Sequence, residues 1–213
     1  MIEVRGVHAI VTDIEGTTSS IAFVHEVLFP YARSRLDAFA AAHPAEAAPL
    51  VAEAGGLATL HRWMDEDRKA TPLKTLQGLI WREGYLSGDL KGHVYPDAAK
   101  SLRRWRAQGL TLAVYSSGSE AAQKLLFGHS VAGDLSPLFS AWFDTRVGAK
   151  AESASYAAIA VALGRAPVEI LFLSDMTPEI VAARAAGLQA VRLVRDDSRA
   201  PGEAASFDEI SVS

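Results

Sequence analysis

At the end of the apolar run VHAIVT the chain reads Asp13-Ile14-Glu15-Gly16-Thr17-Thr18, two carboxylates one residue apart running into a glycine turn. Under strand-like geometry, side chains two positions apart point the same way, so Asp13 and Glu15 can face one ligand. Three later stretches end in the same fashion. LTLAVY delivers Ser116, Ser117 and Gly118, AWFDT is followed by Lys150, and EILFLS delivers Ser174 and Asp175 with Glu179 a turn later. In an open parallel sheet, ligands bind outside the carboxyl ends of the strands. Carboxylates, hydroxyls and one lysine are therefore expected to converge on a single edge.

That set of groups has a specific use. A carboxylate that attacks a phosphoryl group forms an aspartyl-phosphate and splits one difficult displacement into two easier ones. Bringing an anionic nucleophile to an anionic substrate requires positive charge, which Mg²⁺ held by hard oxygens supplies. Asp13 and Asp175 suit that ion as ligands, and Lys150 adds a second cation at the developing charge. Ser117, its neighbouring backbone amides and the helix start after Ser119 can hold phosphoryl oxygens. Glu15 can protonate the leaving oxygen and later activate water. Like-charge repulsion from Asp13 and Asp175 would raise its pKa, partly offset by a metal.

The elements that must position these groups are legible in the hydrophobic pattern. VHAIV, LTLAVY, AWFDT, EILFLS and QAVRLV are mostly continuous apolar runs, as expected for strands buried on both faces of a parallel sheet. Between them lie segments of helical period. DAAKSLRRWRAQG sets Ala98, Leu102 and Trp105 on one face and stops at Gly109. ESASYAAIAVALG stops at Gly164, and TPEIVAARAAG offers Thr177 as a cap, Pro178 at the first helical position and Gly187 as a stop. The alternation predicts an α/β core with right-handed crossovers. Residues 19–95 break that rhythm with helical segments and no convincing strand, which predicts an inserted helical domain between two core segments, 1–18 and 96–213. Within it, residues 41–56 read in part as a low-complexity loop. FDEISVS reads as a short end segment, and Asp196-Asp197 as a polar turn.

Composition excludes several function classes. With 21 basic and 25 acidic residues the net charge is −4, and no basic stripe offers a nucleic-acid footprint. The absence of cysteine removes disulfides, thiolate metal sites and a thiol nucleophile. No signal-peptide pattern and no long apolar span appear, so the expectation is a soluble cytoplasmic protein without nucleic-acid or membrane partners. The six histidines show no ligand spacing and read as structural or surface groups, with His8 in the first strand. Trp63, Trp81, Trp105 and Trp142 read as core. The charge run at 65–69 reads as a solvated helix face, and neither glycine-rich nucleotide-binding pattern is present.

In their order along the chain, DIEGTT, YSSGS, the lysine after the third strand and SDMTPEI resemble the four motifs of the haloacid-dehalogenase-like (HAD) superfamily. Most phosphatases of that superfamily carry Asp where Glu15 stands. The Glu followed by Gly-Thr-Thr, together with YSSGSEAAQKLLFGHS, FDTRVGAKAESASY and LKTLQGLIWREGY, is similar to one branch, the enolase-phosphatases of methionine salvage. The resemblance spans nearly the whole chain and implies a Rossmann-like parallel-sheet core with an inserted all-helical cap domain. It implies Asp13 as nucleophile and Mg²⁺ ligand, and Asp175 as a further ligand. Glu15 would touch the metal through its backbone carbonyl and keep its side chain for acid–base work. Ser116, Ser117, Gly118 and Lys150 would bind substrate phosphate. It further implies one Mg²⁺ per subunit, a monomer, and acireductone synthase activity on a small phosphate ester. In that activity 2,3-diketo-5-methylthiopentyl-1-phosphate is enolised and then dephosphorylated to the acireductone. Three other readings compete. A phosphatase or phosphomutase of small sugar phosphates would share the core. A 2-haloacid dehalogenase would have no use for a metal site or for Glu15. A regulatory protein on a disabled scaffold would not need every catalytic position filled.

Overall fold

The computed structural model describes residues 1–196 and 198–213. The chain divides into two compact units, Met1–Ile21 with Gly92–Ser213, and Ala22–Lys91. In chain order, strands β1 (Ile2–Val4) and β2 (Ala9–Thr12) come first. A helical series follows. Helix α1 (Ile21–Phe23) runs through a π turn at Val24–Leu28 into α2 (Phe29–Ala42), then α3 (Pro44–Ala54), α4 (Leu57–Asp65) and α5 (Thr71–Ser87). Strand–helix alternation then resumes with α6 (Pro96–Ala107), β3 (Thr111–Tyr115), α7 (Glu120–Gly128), β4 (Ala141–Phe143), α8 (Ser153–Leu163), β5 (Ile170–Ser174), α9 (Thr177–Ala185), β6 (Gln189–Arg192) and β7 (Ile210–Val212).

The main sheet is five-stranded and parallel, in the order β4-β3-β2-β5-β6. Every residue of β2 and β5 is buried, which is why their sequences are apolar without alternation. Strand β2 pairs β3 on one side and β5 on the other, so the topology reverses direction there, and a crevice opens at such a switch point. Register fixes what arrives at that crevice. Thr12 is level with Val114 and with Leu173, so Asp13 emerges beside the strand ends that lead to Ser116 and Asp175. The core beneath them includes Val11, Tyr115, Tyr156, Ile159 and Phe172.

The helical unit has its own core, in which Leu36, Leu60, Leu73, Leu76 and Ile80 are almost fully buried. No helix among the described residues is long and apolar enough to cross a membrane.

Several local expectations are corrected. Residues 44–54, read in part as loop, form α3. Pro44 sits in the first turn, where its missing N–H has no intrahelical partner to lose, and Ala-rich sequence carries the helix to Gly55 in the left-handed conformation. Thr177 does not cap α9; Met176 precedes the helix, and Thr177 lies inside its first turn. His8 stands just before β2 and pairs with Glu169 at 3.7 Å. The two termini form a parallel pair, β1 with β7, that short three-residue runs gave little periodicity to reveal. Asp196 accepts from the Ser198 amide in a polar turn, and Asp197 lies outside the described residues.

Candidate active site

The turn after β2 is built to hold Asp13 still. Its amide continues the ladder to the Leu173 carbonyl at 2.9 Å, and its carboxylate Oδ1 accepts from the Ile14 amide at 2.8 Å. The Ile14 carbonyl accepts from the amides of Thr17, Thr18 and Ser19, and the Thr18 hydroxyl donates to the Asp13 carbonyl at 3.0 Å. From outside the turn, Arg195 Nε donates to the Thr17 carbonyl at 3.2 Å while Nη1 pairs with Asp97 at 2.8 Å. Gly16 has φ +75°, and a Cβ there would overlap the Asp175 carboxylate. Only glycine serves both needs at once.

Around Asp13 the structure gathers Glu15, Lys150, Asp175 and Glu179. Lys150 Nζ lies 2.6 Å from Asp13 Oδ1 and 2.9 Å from Glu179 Oε2, with its side chain only 9% exposed. Burial alone would depress the lysine, but Asp13 and Glu179 outweigh it and hold the ammonium above its ordinary pKa. The lysine's own loop is tied down from beneath, where Tyr156 donates to the Lys150 carbonyl at 2.6 Å and Ser155 to the Ala149 carbonyl at 2.7 Å.

The carboxylates are pushed the other way. Burial, and then the charge of Asp13, raise the pKa of Glu15, Asp175 and Glu179 alike. Lys150 opposes the shift at all three. Glu15 therefore holds a proton more readily than an ordinary glutamate, as a general acid must. Ser116, fully buried, donates to Glu15 Oε2 at 3.2 Å and accepts from the Gly118 amide at 3.1 Å. The serine thus sits beneath the edge and orients Glu15, while Ser117 is exposed on the loop above it.

Glu179, which the sequence places a turn after Asp175 without a role of its own, is buried at the centre of this network. It accepts from Ser174 Oγ at 2.7 Å as well as from Lys150. It stands in the first turn of α9, just after the strand end that delivers Asp175. Thr17 was also missed as a support; its hydroxyl accepts from the Asp175 amide at 2.9 Å.

The donor set fits a hard divalent cation. Asp175 Oδ1 is buried without a hydrogen-bond partner among the described residues, and such an atom calls for a ligand. Among the described residues Asp13 Oδ2 has only a 3.5 Å contact from Ser174, leaving lone pairs to offer. No three His, Asp or Glu side chains cluster as ligands among the described residues. The Glu15 carboxylate is turned to Ser116, which leaves its backbone carbonyl as the metal contact that the resemblance implies.

With residues 7–187 matching the model of the haloacid dehalogenase-like hydrolases, the chain belongs to that family. Among its relatives, the enolase-phosphatase E1 of Parvibaculum lavamentivorans is 60% identical, the match covering 89% of this chain and 86% of that one. The enolase-phosphatase E1 of Serratia proteamaculans is 54% identical over 97% of each. Among solved structures, the UTR4 protein of Saccharomyces cerevisiae superposes with a TM-score of 0.81 at 30% identity, covering 96% of this chain and 97% of that one.

Proposed function

We propose that this chain is an enolase-phosphatase, converting 2,3-diketo-5-methylthiopentyl-1-phosphate through its enol to the acireductone and phosphate. Two features support the reading together: the similarity to enolase-phosphatases over nearly the whole chain, and a buried edge on which Asp13, Glu15, Lys150 and Asp175 meet. The single observation that carries the chemistry is the buried Lys150 ammonium, 2.6 Å from Asp13 Oδ1 and 2.9 Å from Glu179 Oε2, on the edge that also bears Glu15 and Asp175. Burial and the charge of Asp13 favour protonated Glu15, while Asp13 and Glu179 hold Lys150 charged.

In this reading Asp13 attacks phosphorus and forms the aspartyl-phosphate. Glu15 gives its proton to the departing enol oxygen and then, as a carboxylate, takes one from the water that releases phosphate. Lys150 balances charge on the phosphoryl oxygens without reorganising, because its partners already hold it in place. Ser116 keeps Glu15 aimed, and Ser117 and Gly118 lie on the loop that receives the phosphate. Asp13, Asp175 and the Glu15 carbonyl would hold Mg²⁺, which when bound supplies positive charge between nucleophile and substrate. The helical unit, residues 19–95 in the sequence reading, acts as the cap that selects the thioether end. A cytoplasmic monomer is part of the same proposal.

The competing dehalogenase chemistry is separated by one experiment. The protein is given the diketone phosphate and, separately, a 2-haloacid, each with and without EDTA. Phosphate release that EDTA abolishes, with no halide release, is expected. Halide release that survives EDTA would overturn the proposal.

A further inference from the structure

Gln123 stands one turn into α7, 1% exposed, and belongs to none of the groups that act on phosphorus. Its Nε2 donates to the Gly118 carbonyl and to the Phe143 carbonyl, each at 2.8 Å. Phe143 ends β4, and the same carbonyl accepts the Ser116 amide at 3.2 Å. One buried amide therefore joins the tip of the loop after β3 to the end of the neighbouring strand.

The orientation of that amide is dictated by its partners. Two carbonyls facing one end of the side chain require the NH₂ group there, since the oxygen would meet them lone pair to lone pair. The consequence is that Gln123 Oε1 is buried with no partner among the described residues. Leaving a buried acceptor unsatisfied is costly, and native structures tolerate it where position matters more than stability.

What the bond positions is the Gly118–Ser119 peptide. The peptide unit is planar and trans, so its C=O and N–H point in opposite directions. Drawing the Gly118 carbonyl inward turns the Ser119 amide outward. Ser119 is exposed, and among the described residues nothing accepts from its amide, whereas the next amide, of Glu120, is taken by Asp144 at 3.4 Å. The Ser119 N–H, without an acceptor among the described residues, thus stands at the start of a helix beside Gly118, whose own amide is held by Ser116.

We infer that Gln123 is a positioning residue for the phosphate-binding loop, locking the Gly118–Ser119 peptide so that the Ser119 amide donates to the substrate's phosphoryl oxygen. The inference rests on the proposed phosphatase reading of that loop. A hydrogen bond to an anion lost with the lock corresponds to roughly tenfold in affinity. Because ground state and transition state both carry the phosphoryl group, the loss should fall on KM more than on kcat.

Two variants test it. Gln123→Met keeps the shape and removes both donors. Gln123→Glu also removes them when ionised but regains one O–H donor when protonated, which burial favours. The readouts are the dissociation constant of inorganic phosphate by calorimetry in the presence of Mg²⁺, the KM and kcat for the diketone phosphate, and the thermal midpoint. The expected result for Q123M is about a tenfold weaker phosphate dissociation constant and a matching rise in KM, with kcat within about threefold of wild type. For Q123E the phosphate affinity, taken relative to wild type at each pH, should recover as pH falls. Wild-type phosphate affinity and KM in a folded Q123M would overturn the inference and leave the phosphatase reading intact. If Q123M does not fold, an affinity ratio for Q123E that is flat with pH overturns it equally. A wild-type protein that neither binds phosphate nor releases it from the ester would remove the phosphatase reading itself.

Discussion

The two units of the chain treat buried polarity in opposite ways. In the α/β unit the buried residues include Asp13, Thr17, Thr18, Ser116, Gln123, Asp144, Ser174 and Glu179. In the helical unit the buried set is apolar apart from Gln77, and its charged groups pair at the surface, as Arg33 does with Asp65 at 2.6 Å. Buried polar and charged groups destabilise unless each is matched, so their concentration marks where chemistry rather than stability set the sequence. The helical unit is built as an ordinary packed body, and what it contributes must come through shape and surface.

That contrast can be broken in four places. The largest effect is expected from Asp13→Asn, which keeps the shape of the turn and removes the nucleophile. Phosphate release should fall on the order of 10⁴-fold or more while the urea midpoint stays near wild type, read by phosphate assay and denaturation. Turnover near the wild-type rate would mean the nucleophile lies elsewhere.

Leu76→Ala strikes the other unit. Leu76 is fully buried in the helical core, so the substitution should lower unfolding free energy by about 2–5 kcal/mol. Inorganic phosphate should still bind with wild-type affinity below the new midpoint. A large loss of phosphate affinity there would show the two units to be less separable than their cores suggest.

The third test uses pH. Glu15, Asp175 and Glu179 all have pKa values raised by burial and by Asp13, so the folded protein holds their protons more tightly than the unfolded chain does. Without a divalent cation, their contribution to stability is therefore greatest below the ordinary carboxylate range and is lost as pH rises through the raised values. A cation that replaces those protons should raise the melting temperature more at about pH 8 than at about pH 5, and Asp175→Asn should shrink the increment. Thermal melts with and without Mg²⁺ decide it; an increment that does not grow with pH would contradict the assigned ligand set.

The smallest effect should come from Arg33→Ala. The partners are 45% and 60% exposed, and exposed pairs contribute between about 0 and 1 kcal/mol. Activity should not change measurably.

How much of this was legible in the sequence follows the same division. The strand ends carrying Asp13, Ser116, Lys150 and Asp175 could be found because continuous apolar runs stop abruptly at polar residues, and a parallel sheet brings such stops to one edge. Helix ends written in glycine, such as Gly109 and Gly164, were equally plain; both take positive φ. What could not be read was whatever depends on side chains meeting across elements. Glu179 gave no local sign that it would share Lys150 with Asp13, and Gln123 none that its amide would bridge two carbonyls. The sequence reads Ser116 as a phosphate contact, but it gives no sign of the bonds its hydroxyl makes to Glu15 and from the Gly118 amide, which the β3 register sets. Helix α3 was obscured because alanine and proline together resemble biased loop sequence, and only packing of Ala47 and Ala54 against the helical core separates the two.

The central claim is that one buried edge enolises and then dephosphorylates a single substrate. The most direct measurement incubates the protein with 2,3-diketo-5-methylthiopentyl-1-phosphate and Mg²⁺ and follows enol absorbance and free phosphate in the same reaction. Enol absorbance rising ahead of phosphate is the predicted result; phosphate appearing with no preceding enol signal would contradict it.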